Sequence, residues 1–366
     1  MILYVIVAIF PLLVGSYFNT KVAAGISEEE SLNKRFRKKR WRWLFLAAFP
    51  MFALIAFRGP YIGADTSVYL KFFTQMVETP WGEIFAVNAS GYQFEPGFVL
   101  FEKVVTLFTH NPQVYQVIYS FIYLISVVTF ANKLEKCNFS FFFFFSTMGI
   151  YTFMFTGVRQ CLAMCICLLS YSFIKERKFI PFLILLLLAF SFHKSAILFI
   201  AAYFIYSRKI SRINTLIYAA FAGFAYIYID VIQEWFNDQL DYDYAVEETG
   251  NGIIFFALIA LVTVFSFLMI LYCKKRTPES VGLLNIGVIT FVMWLLRLAT
   301  RVAERPSYYF MFFSAAMLCY GLDAPEKNEE RIIYKILAYY AFLALFVYRL
   351  LTTHATFVPY VTFFQG

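Results

Sequence analysis

Of the 366 residues, 61% are hydrophobic and 21% aromatic, and only 15% are charged. Soluble domains average roughly a quarter charged residues, so this composition argues against a water-soluble protein. Apolar runs near 20 residues recur along the chain and indicate a multi-span membrane protein; disorder, a disulfide scaffold and a secreted fate are excluded.

In chain order, Met1 to Phe18 is apolar, without a basic n-region or a small-residue cleavage site, and reads as a first span rather than a signal peptide. The run Lys34-Arg35-Phe36-Arg37-Lys38-Lys39-Arg40-Trp41-Arg42 precedes a second span over 43–57. Adjacent to a span, such a run reads as a topology anchor on anionic lipid and not as an RNA-binding patch. Segment 58–96 is an expected extracytoplasmic loop, within which Val68, Tyr69, Phe72, Phe73, Met76 and Val77 recur at helical spacing. That spacing predicts an amphipathic helix on the membrane surface. Asp65 precedes it, either as its cap or as a carboxylate at the outer rim. Glu95, in Glu95-Pro96-Gly97-Phe98, is a loop acid before a turn or a second such carboxylate.

Segment 97–109 is apolar but interrupted by Glu102 and Lys103, so it reads as re-entrant or interfacial. Further spans are predicted over 113–131, 137–156, 158–174, 179–192, 195–206, 213–229, 252–272, 281–296, 307–322 and 332–350. Between two of them, 230–251 carries seven acids and no base; it reads as a solvated external loop, with a lid as the alternative. The six cysteines offer no CxxC pair or zinc spacing, and no metal site or cofactor is expected. The predicted fold is therefore an all-α integral membrane protein, one polytopic domain over 1–366. It has about 12 transmembrane helices, broken or re-entrant segments, and an interfacial amphipathic helix.

The Lys/Arg bias of short loops sets orientation. Segments 19–42, 133–136, 175–178, 207–212, 274–279 and 323–335 hold 22 of the 31 basic residues and alternate with the other loops. Placed in the cytoplasm, they account for the net +8 without nucleic acid. Both flanks of 179–206 are then cytoplasmic, yet two crossings need about 40 residues and only 28 separate Lys178 from Ser207. Two short half-helices meeting at His193-Lys194-Ser195 satisfy that constraint. Non-helical backbone at membrane depth requires protein or a wet cavity around it, which points to a site.

The nine bases left outside include Arg58, Arg159, Lys194, Arg297, Arg301 and Arg305, mostly at span ends. On a continuous helix Arg297, Arg301 and Arg305 form a stripe. Cations about 6 Å apart repel by roughly 3 kcal/mol at an effective dielectric near 20, so something anionic is expected among them, and guanidinium groups fit phosphate oxygens as a fork. His193 is one of only three histidines. Burial or a neighbouring cation favours its neutral form, which accepts a proton. The chain carries no P-loop, dinucleotide fingerprint, GxSxG or HExxH.

Several patterns occur together in order: Arg58-x4-Gly63-x-Asp65-Thr66-x2-Tyr69, Glu95-Pro96-Gly97-Phe98, Arg159-Gln160, Phe192-His193-Lys194-Ser195-Ala196 and Arg305-Pro306-x-Tyr308-Tyr309-Phe310. With them the chain resembles the EpsG-type, Wzy-like family of bacterial polysaccharide polymerases over roughly residues 58–310. The resemblance implies a glycosyltransferase that joins undecaprenyl-diphosphate-linked repeat units at the outer face of the plasma membrane, with a chain-length regulator as companion. On that reading Arg58, Arg159, Lys194, Arg297, Arg301 and Arg305 bind diphosphate. His193 is the expected base, with Asp65 as competitor or orienting partner and Glu95 in support. A flippase for lipid-linked oligosaccharide and an O-antigen ligase are the competing readings.

Overall fold

The computed structural model describes residues 1–22, 34–135, 139–231, 234, 252–273, 276–352 and 357–365. Among these the fold is helical, and pairing in the manner of a strand is confined to one isolated bridge between Arg58 and Thr362. Most of the acidic stretch 230–251, and His354, lie outside the described residues. The chain divides into two compact units, Met1–Ser172 with Ile184–Ala196 and Leu337–Gly366, and Phe173–Leu183 with Ile197–Ile336.

The first unit is built on α1 (Ile2–Lys21), α2 (Lys34–Ala56), α3 (Thr66–Glu78), α4 (Ile84–Gly91), α5 (Pro96–Val105), α6 (Pro112–Lys133), α7 (Ser140–Thr147), α8 (Ile150–Phe153) and α9 (Val158–Leu169). The short α10 (Tyr171–Lys175) leads to α11 (Phe179–Phe192), which is followed by a 3-10 turn (Lys194–Phe199) and α12 (Ile200–Tyr206). The second unit continues with α13 (Arg212–Ile227), α14 (Gly252–Tyr272), α15 (Pro278–Leu296) and α16 (Glu304–Leu322), and α17 (Asn328–Thr352) closes the helical part.

Among the described residues α1, α6, α14, α15 and α17 are long and apolar enough to cross a membrane, while α9 and α11 are shorter apolar helices. The span expected over 137–156 is two helices, because Gly149 breaks it with a left-handed φ of 93°. Hydropathy averages over such a break, so the sequence reads as one run.

Helix starts follow local chemistry. Asn111 accepts from the Gln113 backbone N–H at 2.8 Å and Pro112 occupies the first turn of α6. Thr277 and Ser280 form a reciprocal capping box at α15. The basic run in α2 serves the other kind of terminus. Arg40 donates to the Asn132 side chain at 3.0 Å and to the Leu134 carbonyl at 3.2 Å, covering the carbonyl end of α6.

In the first unit α6 packs against α2 and α9, and its buried Tyr115, Tyr119 and Tyr123 recur every four residues along one face. The helix α3 forms as its spacing predicts. Its apolar face, Tyr69, Phe72, Phe73 and Met76, is buried in protein against α5 and α6, not laid on lipid. Amphipathic spacing reports a face to be covered, and here neighbouring helices cover it. In the second unit α15, α16 and α14 pack together, with Ser314 donating to Thr290 at 2.9 Å between α16 and α15.

Candidate active site

Within the first unit, four residues predicted separately from the sequence converge. The helix α11 ends at Phe192, and the His193 backbone N–H closes its last turn on the Ala189 carbonyl at 3.0 Å. The His193 carbonyl then accepts from Ala196 as the 3-10 turn begins. The break expected at His193-Lys194-Ser195 is present, and it turns a histidine that is 4% exposed toward Glu95.

Glu95 occupies the N-cap position of α5, with extended backbone and Pro96 following. An acid there ordinarily caps with its side chain; this one makes no side-chain cap bond. Its Oε1 faces His193 Nδ1 at 2.8 Å and accepts from the Lys194 backbone N–H at 3.2 Å, while Oε2 pairs with the Arg159 guanidinium. Gly97 makes the approach feasible, since a Cβ there would overlap the Ser191 backbone and hydroxyl at the end of α11. The requirement in Glu95-Pro96-Gly97 is thus close packing of two helix ends.

Arg159 lies in the first turn of α9. A cation there opposes the helix dipole, and the Glu95 carboxylate offsets that cost. The guanidinium also stands over the Phe94 ring, 4.4 Å from its centroid. Phe94 is itself fixed from beneath, with Phe72 at 4.9 Å and Phe98 at 5.4 Å, and the α3 aromatics form this floor.

Burial alone would raise the Glu95 carboxyl. The His193 hydrogen bond and the Arg159 charge outweigh it and bring the pKa from 4.5 down to about 2. Glu95 is therefore an anion, an acceptor only, and His193 Nδ1 donates to it. Fixing the proton on Nδ1 leaves the acceptor lone pair of a neutral imidazole on Nε2.

Two further residues, unread in the sequence, shape this arrangement. Buried Asn88 grips the Phe94 backbone from both sides, its Nδ2 donating to the Phe94 carbonyl and its Oδ1 accepting from the Phe94 N–H, each at 2.8 Å. Between them Gln93 adopts a left-handed φ of 54°. Asn88 thus copies a peptide group and sets the turn that delivers Glu95. Asn88 lies six residues from its partner, a spacing without a sequence signature.

Arg58 and Asp65 fall elsewhere. Arg58 is 0% exposed, and its guanidinium donates to the carbonyls of Ile55 (2.6 Å), Ile62 (3.1 Å) and Phe155 (3.2 Å) and to the Thr66 and Tyr119 hydroxyls. Rather than a diphosphate ligand, it is the hub that ties the 58–66 loop to α6 and to the loop before α9. Asp65 precedes α3 half-buried, and among the described residues its carboxylate makes neither a cap bond nor an ion pair. The orienting partner of His193 is Glu95, not Asp65.

Arg297, Arg301 and Arg305 belong to the second unit. The helix α15 ends at Leu296 and a 3-10 turn over Arg301–Ala303 precedes α16, so the three do not form the stripe of a continuous helix. Arg297 is buried, with its Nε 2.7 Å from Glu304, whereas Arg301 and Arg305 are exposed. Thr300 accepts from Val302 and interrupts the helical register that a four-residue spacing implies.

The fold and this constellation define a helical membrane protein with a buried acid–imidazole–guanidinium cluster. The chain belongs to the EpsG family, whose sequence model matches residues 41–362. Neither a curated protein nor a solved structure matches significantly. Family membership and the apolar helices together point to a membrane-embedded protein of polysaccharide polymerisation.

Proposed function

We propose that the chain is a glycosyltransferase that joins undecaprenyl-diphosphate-linked oligosaccharide repeat units at the outer face of the bacterial plasma membrane. The observation that carries this reading is the Glu95–His193 pair, with Arg159 and the Lys194 amide on the same carboxylate. An acceptor-sugar hydroxyl gives its proton to His193 Nε2 while its oxygen bonds to the anomeric carbon of the donor. The bond from that carbon to the diphosphate oxygen breaks, its electron pair leaves with the diphosphate, and the configuration inverts. Glu95 holds the imidazole in the required tautomer and stabilises the imidazolium that forms.

Charge grows on the leaving diphosphate, so fixed cations bind the transition state more tightly than the substrate. Arg159 and Lys194, which share the first unit with Glu95 and His193, are the proposed cations.

The test is elongation of a defined undecaprenyl-diphosphate repeat unit by purified protein in detergent. The His193→Ala variant should lower the rate on the order of 10²–10⁴-fold while remaining monodisperse, and Lys194→Ala, which keeps the backbone bond to Glu95, should lower turnover without loss of fold. Wild-type rates for both variants would refute the reading. In cells, a polymerase defect leaves single repeat units, a ligase defect leaves long chains on the carrier, and a flippase defect traps repeats in the inner leaflet.

A further inference from the structure

The helices of the second unit form a half-open cavity of about 240 Å³ lined from α13, α14 and α15. An apolar cavity of about 150 Å³ already accommodates benzene, so this one has room for a length of hydrocarbon. The residues that α13 presents to it are Asn214, Tyr218, Ala219 and Ala222. Small residues on a membrane helix normally bring the partner backbone close. Here Ala219 and Ala222 leave space against Leu284, Val288 and Phe291 instead. The opposite face of α13, including Ile213, Leu216, Ile217, Phe221 and Phe224, is exposed and apolar, as a lipid-facing surface is.

Ile210 lines the cavity, and the exposed Arg208 and Lys209 immediately precede it; the lining residue Asn285 donates to the Arg208 carbonyl at 2.7 Å. Among the described residues neither cation has an ion-pair partner. Arg208 is near enough to Tyr218, a lining residue, to act on it electrostatically. The Tyr218 hydroxyl is buried and has no hydrogen-bond partner among the described residues. Asn214 donates to the Lys209 carbonyl at 2.6 Å, fixing the turn that carries both cations at the start of α13.

An apolar slot with an unsatisfied hydroxyl in its wall and two cations on the turn beside Ile210 matches an amphiphile with an anionic head. We propose that this cavity is a binding site for one anionic phospholipid. One acyl chain lies between α13 and α15, and the head-group phosphate sits at Arg208 and Lys209. The lipid fills space that the alanines leave, and it completes the packing of α13 against its unit. The site is independent of the glycosyl-transfer reading, because none of its residues belongs to that chemistry.

Native mass spectrometry of the full chain, delipidated and then offered phosphatidylglycerol or phosphatidylcholine with identical acyl chains, tests the proposal without any variant. One retained phosphatidylglycerol, preferred about tenfold over phosphatidylcholine, is the expected result. The Arg208→Gln/Lys209→Gln double variant should erase the preference while leaving weak retention of both lipids. An Ala222→Leu variant, which narrows the slot, should lower retention of both. Equal retention of the two lipids by the wild type overturns the proposal, as does no retention. Stronger retention of a polyprenyl phosphate than of phosphatidylglycerol also overturns it, since the cavity would then serve a carrier lipid.

Discussion

Replacing Glu95 by Gln removes one charge and little volume, so it isolates the electrostatics of the buried cluster. The carboxyl titrates at 4.5 ordinarily and about 2 in the folded chain. Each pKa unit corresponds to 1.36 kcal/mol, so the folded state favours the carboxylate by about 3 kcal/mol. A second route agrees in size. Removing one member of a buried ion pair costs about 3–5 kcal/mol, and the Arg159 side chain is partly exposed, which places the cost near the lower end.

The sign follows from the direction of the shift. A depressed folded-state pKa contributes stability that is complete above about pH 4.5 and is lost as the pH falls toward 2. Denaturation of wild type and Glu95→Gln in the same detergent, from pH 7 to 2, reads this directly. Other acids contribute equally to both curves and cancel in their difference. At pH 7 the variant should be less stable by about 3 kcal/mol, and the gap should close between pH 4.5 and 2. Curves that run parallel over that interval would refute the ion-pair account of the site. The Gln oxygen can still accept from His193 Nδ1, so the variant should fold; its elongation rate should fall on the order of 10²-fold with little change in substrate KM.

Asn88→Ala removes both bonds to Phe94 and should cost about 1–3 kcal/mol; Asn88→Asp, which keeps only the acceptor, should fall between it and wild type in denaturant titration. Gly97→Ala forces a Cβ onto the Ser191 backbone and should destabilise by about 1–3 kcal/mol. Trimming with Ser191→Ala should not restore it, because the backbone atoms of residue 191 remain in the way. Arg159→Lys keeps the charge but loses the planar group over Phe94, so elongation should drop more than the pH-dependence of stability changes. Arg58→Lys keeps the charge but brings at most three N–H donors to five carbonyl and hydroxyl acceptors, and should cost about 1–3 kcal/mol for each group left unsatisfied, read in denaturant titration.

What the sequence reveals here depends on whether the cause is local. The interruption at His193 follows from counting how much chain a crossing needs and is found where expected, while the local chemistry of Pro112 and Pro278 starts α6 one residue and α15 three residues before the spans read over 113–131 and 281–296. Partner choice is not local. Arg58 and Arg159 are alike as arginines at span ends, yet one is enclosed by carbonyls and the other reaches a carboxylate. The difference lies in Phe155 and Glu95, each 64 residues or more from its arginine. Periodicity misleads in the same way at Arg297, Arg301 and Arg305, because a four-residue interval implies a shared face only if the helix continues, and Thr300 ends that continuity. For α3, spacing identifies the face that must be covered but not whether lipid or protein covers it. Covering that face with protein is what lets Phe72 and Phe98 support Phe94, the ring over which the Arg159 guanidinium that pairs with Glu95 is held. An element whose pattern matches a membrane-surface helix therefore serves here as the floor of the candidate active site.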